Sequence, residues 1–60
     1  MALTGKELSW LEDQLNLEQL MVKKYRMAES MTQDEAVRTK LKSAGDRHQQ
    51  HFHKLLGHLN

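Results

Sequence analysis

The apolar positions of the chain fall into two helical rows, one in each half. In the first, Leu8, Leu11, Leu15, Val22 and Tyr25 keep to spacings of three, four or seven, and Glu18 fills the position between Leu15 and Val22. In the second, Val37, Leu41, Ala44 and Leu55 keep the same period, His48 and His51 fill the gap, and His58 continues the row. Residues three and four apart lie on one side of an α-helix, so each row predicts one amphipathic helix with a narrow apolar seam. The seams are apolar except at Glu18, His48 and His51.

Start signals place the helices. Thr4-Gly5-Lys6-Glu7 is a capping box, in which the Thr4 hydroxyl accepts from the Glu7 backbone and the Glu7 side chain reaches back. Thr32-Gln33-Asp34-Glu35 repeats that signature and adds acidic groups at the positive end of a helix dipole. The predicted elements are a helix over about 5–31, a turn at about 32–33 and a helix over about 34–59, each on the order of 40 Å long. So short a connection forces an antiparallel hairpin, and the whole chain reads as one all-α domain. Gly45 falls inside the second helix, where it costs roughly 1 kcal/mol against alanine, and it marks a close helix contact rather than an end.

Folding the hairpin at residues 32 and 33 sets Glu18 level with residue 47, beside His48, with His51 one turn further on. All three polar interruptions of the seams therefore share one level and are expected to face inward. Two histidines three apart on one helix, met by a carboxylate from the facing helix, offer three N/O ligands for a divalent transition metal such as Fe, Zn, Ni, Mn or Co. The same three groups can instead satisfy one another as a metal-free polar network. His53 lies off the seam and is expected to be exposed, and His58 sits near a fraying end, so neither is taken as a ligand.

Length bears on assembly. A 60-residue chain buries only about 60% of the surface its unfolded form exposes, and without cysteine it has no disulfide or thiolate metal site to stabilise it. Trp10, Leu17, Leu20, Met21, Met27 and Met31 on the first helix, with Phe52, Leu56 and Leu59 on the second, make the apolar stripe wider than one partner helix covers. A two-fold homodimer, two hairpins forming a four-helix bundle, is the expected remedy. It would bring two copies each of Glu18, His48 and His51 around one axis.

Charge narrows the partners. Nine Lys and Arg balance eight Asp and Glu, and Lys23, Lys24 and Arg26 form the main basic cluster with no aromatic residues between them, so nucleic acid is not expected and the cluster reads as a solvated face. No apolar run reaches the roughly 20 residues of a membrane span and no signal-peptide pattern opens the chain, so a cytosolic protein is expected.

The stretch from Glu18 to Tyr25, EQLMVKKY, resembles the first-helix Glu of the ferritin-like superfamily, followed seven residues on by Tyr, and His48-Gln49-Gln50-His51 stands where that superfamily has Glu-x-x-His. The rubrerythrin branch is the nearest in pattern. The chain as a whole, with LTGKELSWLEDQLNLEQLMVKKY, a short acidic turn and HQQHFHKLL, is also similar to small spore coat proteins of the F type, which are ferritin-like hairpins. The resemblance implies a ferritin-like bundle, a metal centre held by Glu18, His48 and His51, a supporting hydrogen bond from Tyr25, and for some relatives a place in the spore coat beside other coat proteins. The departure is His48, where relatives carry Glu. A dimeric site would hold two carboxylates and four imidazoles, so either one metal binds per dimer or an added anion balances two. Without the bridging Glu, and without a cysteine site to deliver electrons, oxidative di-iron catalysis is not favoured.

Overall fold

The computed structural model describes residues 2–59. Two α-helices, α1 over Gly5–Met31 and α2 over Glu35–Gly57, pack antiparallel as a single hairpin, 46 Å in its longest dimension. The capping box forms as read: the Glu7 backbone N–H donates to Thr4 Oγ1 at 3.0 Å and the Thr4 N–H donates to Glu7 Oε1 at 3.1 Å. Those bonds, the backbone one first, hold the Glu7 carboxyl below the ordinary glutamate value.

The connection corrects one expectation. Thr32 does not cap the second helix but closes the first, its N–H donating to the Ala28 carbonyl at 3.1 Å. Its hydroxyl then accepts from the Asp34 N–H at 3.2 Å, and Asp34 becomes the N-cap of α2 by accepting from the Val37 N–H at 3.1 Å. Asp is at least as good a cap as Thr, and extended backbone at Thr32 suits the turn. Arg38 fixes the corner by donating to the Thr32 carbonyl at 2.6 Å and pairing with Glu35. At the other end α2 stops at Gly57, short of residue 59, because the His58 and Leu59 N–H groups turn back in tight i,i+3 bonds to Leu55 and Leu56.

The core of the hairpin is small. Among the described residues, Leu11, 3% exposed, and Leu15 are the apolar side chains that become buried, and Gly45 of α2 is buried with them. Leu8 and Val37, predicted for the seam, are exposed, as are Trp10, Leu17, Leu20, Met27, Met31, Leu56 and Leu59. One helix can cover only one side of its partner, and the remaining apolar stripe stands in solvent.

Nearer the turn the helices are joined by charge across Gly45. A Cβ there would sit 2.7 Å from Arg26 Nη1 and 3.4 Å from Tyr25 Cβ. The missing side chain lets the guanidinium lie on the α2 backbone, where Nη1 donates to the Lys42 carbonyl at 3.3 Å and Nη2 donates to Asp46 Oδ1 at 2.7 Å. Lys42 Nζ donates to the other Asp46 oxygen at 3.1 Å. Arg26, first, and Lys42 thereby hold the Asp46 carboxyl below its usual range, and Asp46 raises Arg26 in return. Gly45 therefore marks a close approach, as its place in the pattern suggested, but what fills the space is Arg26. That residue belongs to a cross-helix clamp and not to a freely solvated basic face.

Candidate metal centre

Eight residues along α1 from Arg26, on the side turned to α2, Glu18 meets the two histidines. Leu11 and Leu15 seat this stretch of α1 against α2, which carries Glu18 to the level of His48 and His51, one turn apart on the facing helix. The His48 ring N–H at Nδ1 donates to Glu18 Oε2 at 2.7 Å, and His51 Nδ1 lies 3.7 Å from that same oxygen. Glu18 Oε2 is thus the shared vertex of the cluster. The register expected from the turn, Glu18 level with residue 47 and next to His48, is the one that forms.

The three groups differ in exposure. Glu18 and His48 keep 16% and 25% of their side-chain surface, whereas His51 keeps 56%. The expectation that both histidines face inward is therefore corrected for His51. A single hairpin has no element on that flank, so the ring looks into an open cleft lined by Glu18, Gln14, Leu55 and His58. His53 is exposed as expected and shares a 3.1 Å hydrogen bond with Gln49 on its own helix. His58 is exposed at the end of α2.

Tyr25 reaches the cluster ring on ring. It stacks on His48 with centroids 5.5 Å apart and planes 14° from parallel, in place of the hydroxyl hydrogen bond expected from its spacing. His48 meets His51 edge to face at 5.7 Å. A histidine wedged between a tyrosine face and a carboxylate has little freedom to rotate, so Tyr25 sets the plane in which His48 presents its nitrogens. This positioning by stacking was hidden in the sequence, where only the separation of Tyr25 from Glu18 could be read.

The donor set fits a divalent cation. One ligand atom from each of Glu18, His48 and His51 can be chosen so that all lie within 4.8 Å of one another. Bonds of about 2.0–2.2 Å from a tetrahedral or octahedral metal put neighbouring ligands roughly 3–3.5 Å apart, a spacing the 2.7 and 3.7 Å separations bracket. A neutral imidazole ligates through the nitrogen that carries no proton, so binding through Nδ1 of His48 would use the tautomer protonated at Nε2. Among the described residues, no helix is long and apolar enough to cross a membrane, and no other group of three or more His, Asp or Glu gathers in this way.

Comparison with family models, with curated proteins and with solved structures finds no match.

Proposed function

We propose that the chain is a small metal-binding protein of ferritin-like design, in which two hairpins associate as a homodimer and hold a divalent transition metal, or a metal pair, through Glu18, His48 and His51. The observation that carries this reading is the convergence of two imidazole nitrogens of α2, from His48 and His51, on one carboxylate oxygen of Glu18 of α1. The dimer is supported by the many large apolar side chains that the hairpin leaves exposed, Trp10, Leu17, Leu20, Met27 and Met31 among them. When bound, the metal would cross-link α1 to α2 and supply a Lewis acid between them. The imidazole-rich set suits Zn, Ni or Co at least as well as Fe or Mn.

One observation favours a second reading. The Glu18–His48 bond satisfies both partners without a metal, and no buried polar side-chain atom among the described residues lacks a partner. A structural protein, of the spore coat type, could use that pair only to fix helix register. Metal analysis of untagged protein separates the two. The first reading expects a stoichiometric divalent metal per dimer and a higher melting temperature when Zn, Ni, Co or Fe is restored to the stripped protein. Absence of both would overturn it and leave the structural reading.

A further inference from the structure

The outer side of α1 carries a second heptad row that the hairpin does not use. Trp10, Asp13, Leu17, Leu20, Lys24 and Met27 succeed one another at spacings of three, four, three, four and three, and every one of them is exposed. Met31, 75% exposed and four residues further, extends the row. This alternation is the spacing of a helix–helix seam and not of a solvated surface. It lies on the flank and back of α1, away from Leu11 and Leu15, the two leucines that face α2.

The row reads the same from either end. About its midpoint, between Leu17 and Leu20, Trp10 mirrors Met27, Asp13 mirrors Lys24, and Lys6 mirrors Met31. A two-fold interface is self-complementary, each residue meeting in the partner the one it mirrors when the helices run antiparallel. Antiparallel pairing of two α1 helices would set Leu17 against Leu20, the Trp10 ring against the Met27 thioether, and Asp13 against Lys24 on both sides of the axis. The Lys6 stem would cover Met31 with its ammonium in water. Parallel pairing would set Asp13 against Asp13 and Lys24 against Lys24, so charge alone selects the antiparallel arrangement.

We infer that this row is the contact through which two copies of the chain associate, α1 against α1 and antiparallel, with the two-fold axis at the level of Glu18. The inference rests on the homodimer of the proposed function but not on the metal. Because the row lies on the side of α1 away from α2, the two Glu18-centred clusters come to the same level of the assembly but on opposite outer sides of the α1–α1 pair, so each hairpin keeps its own site.

Charge reversal in metal-free protein tests the pairing. Sedimentation equilibrium at low salt is expected to show a dimer for the unaltered chain. Asp13→Lys and Lys24→Asp are each expected to weaken it about tenfold or more, because two attractive pairs become two repulsive ones, and the double variant to return within about threefold of the original affinity. Far-UV circular dichroism checks that each variant keeps its helices. Trp10, the chain's one tryptophan, is 58% exposed in the hairpin, so its emission should shift to the blue on dimerisation. A monomer at all concentrations, or a dimer indifferent to both reversals, would overturn the inference, and so would a double variant no tighter than the singles. Because no metal is present, a protein that passes this test yet binds no metal loses the metal reading alone, and one that binds metal but fails the test loses the pairing alone.

Discussion

Two levels of the hairpin seam, Arg26 with Asp46 and Glu18 with His48 and His51, carry polar groups in contrasting ways. At the first, every strong donor and acceptor finds its partner within one chain, and the space for the guanidinium is made by Gly45. At the second, a single carboxylate oxygen is approached by two imidazoles, one bonded and one left at 3.7 Å on an open flank. The first level is closed and can do no more than hold the helices together. The second keeps unused donor capacity, which is what a ligand site needs and a structural clamp does not.

The contrast is sharpest with metal added. At a free metal concentration a hundred times the dissociation constant, linkage raises stability by about 2.7 kcal/mol. Thermal melts with and without Zn, Ni or Co should therefore separate by several degrees for the unaltered chain. His51→Ala should abolish that gain while leaving the metal-free melt within about 0.5 kcal/mol, since it removes an exposed side chain from the hairpin. A metal-dependent gain that survives His51→Ala would move the site elsewhere. Arg26→Ala should keep the gain intact, as a closed level has no part in it.

The next effect breaks the closed level instead. Gly45→Leu drives a side chain into Arg26 and the Tyr25 Cβ, where overpacking costs typically 1–3 kcal/mol, and we expect about 2 kcal/mol by urea unfolding. Gly45→Ala is the sharper probe. The Cβ displaces only the mobile end of Arg26, and a helix-propensity gain of about 1 kcal/mol offsets the disturbed clamp, so the net change should be near zero. If Gly45→Leu is also neutral, the close approach of Arg26 to α2 does not hold the hairpin.

How far these levels could be read in advance follows from what each depends on. The capping box at Thr4, the antiparallel hairpin and the level of Glu18 with His48 depend on local signals and on period, and these were legible in the residues. The N-cap of α2 was not, because Thr32 and Asp34 are both capping residues and the choice fell to Thr32 closing the first helix. The exposure of His51 was misread because a seam position is inward only where something covers it, and one helix covers half a seam. Arg26 was hidden among Lys23 and Lys24. The signal that could have found it is a glycine on α2 followed at once by Asp46, an empty place with a counter-charge beside it.

The smallest expected effect concerns pH, and it falls on the closed level. The Asp46 carboxyl sits below its usual value in the folded chain, chiefly through Arg26 and then Lys42, so the folded state holds the charged form more strongly than the unfolded state does. Such a group contributes its full stability above the unfolded pKa, near 4, and loses it as the pH falls through the lower folded value. The clamp is half-exposed and screened by salt, so the loss is small and should shrink further at high ionic strength. Asp46→Asn removes the titrating group, and the melting temperature of that variant should fall less steeply than the unaltered chain's as the pH is lowered from about 4. Glu7, also held low by its bonds to Thr4, remains in both proteins and cancels in the comparison. Parallel curves for the two proteins would mean that Asp46 is no better stabilised in the fold than in the open chain, and that Arg26 lies across Gly45 for its bond to the Lys42 carbonyl rather than for the carboxylate.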